Sequence, residues 1–212
     1  MLSGFYQNER WLYKQFGGTN LELVFGIVRN IKPKIILEVG TGKDARYATA
    51  MCSALEQNNI PGSRLISYEL CSSYYASAKK KLSTFSEVVR LEQKDMFSFF
   101  DDYELQPDLY LLDAGDEKLW NSSWNVPGKD YGPGSYYMKK ESENLNFFLE
   151  LQNKRTVPGT LVILDDFLSG RGTYIGNYAI DNHADFDSKW IILDIFVSGP
   201  SSLCILQRIE GQ

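Results

Sequence analysis

The chain has 212 residues, a formal net charge of −5, 43% apolar and 14% aromatic residues, enough apolar material for one globular domain over 1–212 and too much for a disordered chain. The negative balance gives no electrostatic footprint for DNA or RNA, and no apolar run approaches the about 18 residues that span a bilayer. The N-terminus lacks the basic and apolar regions of a secretion signal, and Cys52, Cys71 and Cys204 form no C-x-x-C pair, so the expectation is a reducing, cytoplasmic setting with neither zinc site nor disulfide frame.

Strand-like and helix-like segments alternate along the chain. A helix is expected over Leu21 to Ile31, within an N-terminal helical cap of residues 1–32, with Pro33 closing the connection. Strand one follows at Lys34 to Val39, then a helix from Ala45 to Gln57 and a turn at Asn58-Asn59-Ile60-Pro61-Gly62. Arg64 to Tyr68 reads as strand two and Ser73 to Phe85 as a helix, with Lys79, Lys80 and Lys81 as a solvated face. Glu87 to Glu92 makes strand three, Met96 to Tyr103 a short helix, and Leu109 to Leu112 strand four after Pro107. A lid-like insertion, 114–136, precedes a helix over Tyr137 to Asn153 and strand five over Thr160 to Leu164. The last strands, Trp190 to Val197 and Ser202 to Gln207, are too close for a crossover and must form a hairpin. The pattern is α/β: a mostly parallel sheet of seven strands ending in an antiparallel hairpin, with helices on both faces.

The most informative segment is Ile35-Ile36-Leu37-Glu38-Val39-Gly40-Thr41-Gly42. A buried strand runs into two glycines and then a helix, a turn where the backbone can approach a ligand closely. Asp44 is placed to cap the helix that follows. Gly40-x-Gly42-x-x-Ala45 fits the dinucleotide fingerprint, in which a pyrophosphate rests on the helix N-terminus. Glu38 tilts the reading away from it, because a carboxylate beside the turn disfavours pyrophosphate and suits a ligand that carries an ammonium group. S-adenosylmethionine has an ammonium, a sulfonium, a ribose and an adenine. The segment resembles the first motif of the class I S-adenosylmethionine-dependent methyltransferases, with Asp44 where many of them have a third glycine. The resemblance implies a Rossmann-like fold.

Ligands of open α/β sheets bind outside the carboxyl ends of the strands. Strand two ends at Glu69, 31 residues after Glu38, where a carboxylate can accept both ribose hydroxyls, in dinucleotide-binding folds as well. After strand three, the resemblance to the methyltransferases implies that Asp95 and Met96 meet the adenine, although Asp95 also suits a helix cap. Glu38, Gly40, Thr41, Gly42, Glu69, Leu70, Asp95, Met96 and Asp113 make up the candidate cofactor set. Strand four delivers Asp113 and strand five delivers Asp165 and Asp166. Three clustered acids repel one another unless a divalent cation neutralises them; the alternative is that one binds the ammonium and the others are solvated.

An Asp after strand four and an Asp pair after strand five resemble the catechol O-methyltransferase-like group, which includes bacterial sugar and macrolide O-methyltransferases. The resemblance spans roughly residues 20 to 208 and implies that Asp113, Asp165 and Asp166 hold Mg²⁺, which binds the substrate's hydroxyl oxygens. Where the catechol enzymes place a lysine base this chain has Asp116, with Lys118 two residues on. Asp113, Asp116, Lys118 and His183, the single histidine, are the catalytic candidates, His183 having an exposed loop histidine as its plainer reading. Between Trp120 and Tyr137 five aromatics lie among glycines and prolines, which suits a lid over the substrate or a homodimer contact. The aromatics of 5–13 suit the same pocket or interface. The leading expectation is an S-adenosylmethionine-dependent O-methyltransferase for a small hydroxylated molecule, such as a sugar, polyketide or catechol. The alternatives are a metal-free N- or carboxyl-methyltransferase, a nicotinamide-dependent oxidoreductase and a silent cofactor-binding module.

Overall fold

The computed structural model of the chain describes residues 19–102, 105–113, 147–148, 150–151, 154–165, 186–198 and 201–209. Helix α1, Thr19–Ile31, forms because Leu21, Val24, Phe25 and Val28 recur at helical spacing and are buried together. It stops at Lys32, whose φ of 51° is left-handed and whose N–H donates to the Val28 carbonyl at 3.1 Å. Strand β1, Ile35–Val39, comes next, then α2, Arg46–Asn58. Helices α1 and α2 are tied end to end: the Asn58 amide donates to the Val28 carbonyl at 2.8 Å and accepts from the Arg29 guanidinium. Strand β2, Arg64–Tyr68, leads to α3, Ser72–Lys81, which tightens into a 3₁₀ turn at Leu82–Phe85 where the sequence predicts continuous helix. Lys79, Lys80 and Lys81 are exposed, as expected of a solvated face.

Strand β3, Val89–Glu92, pairs parallel with β2, and β2 pairs parallel with β1 in a register that sets Ile36 against Leu65 and Glu38 against Ser67. The start of β4, Leu109–Leu112, is pinned beside the start of β1. There the Asp108 carboxylate accepts from the Lys34 and Ile35 amides at 2.8 and 3.0 Å, and the Asp108 amide donates to the Ile35 carbonyl at 2.9 Å. Ile36, Leu37, Leu65, Ile66 and Leu109 are fully buried, each contributing about 1.5–3 kcal/mol. These elements make one compact unit, which runs to Asp95 and takes in Pro107–Tyr110.

The second unit comprises Met96–Gln106 and Leu111–Gln212. In place of the expected single helix from Met96, a 3₁₀ turn at Met96–Ser98 precedes α4, Phe99–Asp102. Phe147, Phe148, Glu150, Leu151 and Lys154 are helical, and β5, Leu161–Asp165, is buried along its whole length. A short α5, Phe186–Lys189, feeds β6, Trp190–Ser198, which turns back into β7, Ser201–Arg208. The core here is aromatic: Phe147 packs on Phe97 and Phe100 at centroid distances of 5.6 and 5.1 Å, and Phe148 packs on Trp190 at 5.1 Å. The expected hairpin is present: β7 is antiparallel to both β5 and β6, with a bulge between Ile192 and Asp194. The strand order is β3-β2-β1-β4-β5-β7-β6. Among the described residues no helix is long and apolar enough to cross a membrane.

Candidate functional site

The turn after β1 is shaped by its two glycines. Gly40 and Gly42 have φ of 89° and 68°, values that side chains with a Cβ rarely adopt. The amides of Gly40 and Thr41 both donate to the Tyr68 carbonyl, at 3.0 and 3.2 Å, so the turn hangs from the end of β2. A Cβ built on Gly42 would meet nothing within 4 Å, so backbone conformation demands this glycine and the space beside it is open to a ligand.

Asp44 does not cap α2, contrary to the sequence expectation. The cap position is Ala45, in a left-handed conformation with φ 48° and ψ 40°, and no side chain bonds to the helix start. Asp44 is drawn outward by Lys81 of α3 in an exposed ion pair, which holds its carboxyl below the usual range. The first-turn amides of α2 thus lack a side-chain cap of their own.

Beneath the turn lies a buried polar chain. Glu38 is 1% exposed, next to last in the apolar strand β1. Its Oε2 accepts from the Ser67 hydroxyl, and Ser67 Oγ lies 2.6 Å from Thr41 Oγ1, which is 3.2 Å from the Tyr68 carbonyl. Oε1 is buried with no partner in hydrogen-bond geometry, although the Ala48 amide of the α2 first turn favours the charged form. Burial pushes the Glu38 carboxyl up to about 8; the Ser67 hydrogen bond opposes the rise and the Glu69 charge adds to it. Ser67 escaped the sequence reading. The signal was there: a hydroxyl within the apolar run Leu65-Ile66-Ser67-Tyr68, in register with an acid on the neighbouring strand.

Glu69, 7% exposed, grips both loops around the turn. Its Oε2 accepts from the Gly42 amide and its Oε1 from the Cys71 amide, each at 2.8 Å. Charge-assisted bonds of this kind shape the loop. Leu70 is 67% exposed beside it. Asp95, past β3, is exposed, and Met96 is buried. The structure therefore brings Glu38, Gly40, Thr41, Gly42 and Glu69 together.

In the second unit, Asp113 is half-buried just after β4. Asp165 is the last residue of β5 rather than the first beyond it, paired with Leu203 and 8% exposed. Strands β4 and β5 are neighbours in the sheet order. Asp116, Lys118, Asp166, His183, the 120–137 segment and the aromatics of 5–13 lie outside the described residues. Among the described residues there is no group of three or more His, Cys, Asp or Glu that could hold a metal ion. Cys52 and Cys204 are buried thiols, and burial pushes Cys204 up to about 12.

Solved structures share this architecture at low identity. A SAH-bound methyltransferase of Podospora anserina, PaMTH1, is 12% identical over 90% of this chain and 78% of its own, with a TM-score of 0.64. An O-methyltransferase from Bacillus cereus in complex with SAH is 13% identical over 90% and 80%, with a TM-score of 0.63. The fold is that of the Rossmann-like methyltransferases. TomG from Streptomyces achromogenes, an O-methyltransferase of tomaymycin synthesis solved with SAM, is similar over 99% of this chain and 89% of its own, at 16% identity and a TM-score of 0.59. No protein-family model matches the chain, and no curated protein matches its sequence. At such identities the methyltransferase fold is common ground, while the chemistry has to be argued from the site.

Proposed function

We propose that the chain is an S-adenosylmethionine-dependent O-methyltransferase acting on a small hydroxylated molecule. One observation carries the reading: two buried carboxylates, Glu38 and Glu69, flank a glycine turn whose Gly42 side is open, on a fold whose solved neighbours hold SAM or SAH. The donor set suits that ligand. The unpartnered Oε1 of Glu38 suits a cationic group, and the Glu69 carboxylate, an acceptor, suits ribose hydroxyls.

When bound, S-adenosylmethionine supplies a methyl group on a positive sulfur, which departs with the S–C electron pair as the substrate oxygen bonds to carbon. The chain's residues then have three tasks: hold the donor, align the oxygen in line with the S–C bond, and take the hydroxyl proton. Alignment alone can supply much of the rate. Asp116, Lys118 and His183 remain the candidates for the proton. Asp113, Asp165 and Asp166 would hold a divalent cation, whose chemistry is to orient the substrate hydroxyl and lower its pKa. Their hard oxygens fit magnesium, and Asp113 and Asp165 follow and end neighbouring strands.

Calorimetric titration with S-adenosylmethionine, SAH and NAD tests the cofactor. Heat with NAD alone would return the chain to the oxidoreductases. Transfer of labelled methyl to a panel of polyhydroxylated aromatics, sugars and macrolides tests the acceptor, and repeating it with magnesium or chelator separates metal-assisted from metal-free transfer.

A further inference from the structure

The buried chain under the glycine turn can run in either direction. Thr41 Oγ1 and Ser67 Oγ are 2.6 Å apart, and either hydroxyl can donate. With Glu38 ionised, the carboxylate only accepts, so Ser67 donates to Glu38 and Thr41 donates to Ser67. With Glu38 neutral, its own proton goes to Ser67, the Ser67 proton to Thr41, and the Thr41 proton to the Tyr68 carbonyl at 3.2 Å. In both directions every proton of the chain has an acceptor.

The two states differ in charge. Ionised, Glu38 is a negative group with an unpartnered Oε1 and 1% exposure, a costly arrangement unless a cation arrives. The titratable groups facing it among the described residues are Glu69 past β2, which repels the charge, and the Cys52 thiol on α2, which is neutral. The Ala48 amide offsets only part of this cost. Taking the turn as the cofactor site proposed above, we infer that this relay lets Glu38 keep a proton in the ligand-free protein and release it to solvent when the cationic cofactor binds, with Ser67 and Thr41 as positioning residues.

The neutral carboxyl is favoured up to about pH 8. About a tenth of the molecules then carry ionised Glu38 at pH 7 and about a hundredth at pH 6, so affinity weakens about tenfold per pH unit below that value. Single changes should move the midpoint in opposite directions. Ser67→Ala removes the donor to the carboxylate and raises it. Thr41→Val removes the acceptor that the neutral chain needs and lowers it.

The experiment is calorimetric titration of the full chain with S-adenosylmethionine between pH 5.5 and 7, below the range in which the ligand's amino group titrates. Two buffers of different ionisation enthalpy count the protons. The expected result is release of close to one proton per cofactor, a tenfold change in Kd per pH unit, opposite shifts in Ser67→Ala and Thr41→Val, and a flat profile in Glu38→Gln. A bound cofactor with no proton exchange and a flat wild-type profile overturns the relay, as does a slope that persists in Glu38→Gln. Shifts of Ser67→Ala and Thr41→Val in one direction remove Ser67 and Thr41 from it. Absence of any binding of S-adenosylmethionine or SAH defeats the site reading itself, a result distinct from the others.

Discussion

Replacing Glu38 with glutamine should change how stability depends on pH more than it changes stability at any one pH. In the folded protein the carboxyl is pushed from 4.5 up to about 8, mainly by burial. The folded-state value lies above that of the unfolded chain, so the folded protein holds the extra proton between those values, and stability declines as pH rises through that window. At 1.36 kcal/mol per pH unit, the decline from this group between pH 6 and pH 8 is about 2 kcal/mol. Glutamine cannot ionise; it still offers an oxygen to Ser67, but brings an amide that needs a buried acceptor. That adds a pH-independent cost of about 1–3 kcal/mol. Urea unfolding of both proteins at pH 6, 7 and 8, followed by tryptophan fluorescence, isolates the slope from this offset. Wild type should lose about 2 kcal/mol more than Glu38→Gln across the range. Parallel slopes would mean that Glu38 is already ionised in the fold and that burial does not govern it.

Glu69→Ala leaves the Gly42 and Cys71 amides without their acceptor. It should cost about 2–4 kcal/mol in chemical denaturation and weaken S-adenosylmethionine binding in calorimetry, with Glu69→Gln intermediate. Lys32→Gly relieves a left-handed, exposed residue at the end of α1 and should stabilise the chain by about 0.5–1 kcal/mol, read as a rise in Tm of about 1–4 °C. Gly42→Ala meets no neighbour but must adopt a φ of 68°. A stability loss of about 1 kcal/mol beside a much larger loss of cofactor affinity would mark the open side of the turn as ligand space. Asp165→Ala should abolish magnesium-stimulated methyl transfer while leaving cofactor affinity within about twofold in the same titrations; an equal loss of cofactor binding would remove its metal role.

The alternation of elements, the parallel run of β1 to β3 and the closing hairpin were all legible from hydrophobic runs and connection lengths. The hairpin needed only the few residues between Ser198 and Ser201, because no crossover fits there. Gly40, Gly42 and the two acids that flank them were legible too, since a turn at positive φ and a carboxylate at a strand end leave local marks. Ala45 and Asp44 show the limit. Local propensity favours Asp44 as the cap, yet Lys81, 37 residues away, draws it off, and the helix starts at a left-handed alanine instead. The same holds for Glu38, whose sequence neighbours say only that an acid lies near the end of a strand. Its burial, its bond to Ser67 and its raised pKa come from β2 lying in register beside β1. Periodicity and turn chemistry act over a few residues and are written in the chain itself. Desolvation and hydrogen bonds between strands depend on which distant residues meet, and folding alone decided that.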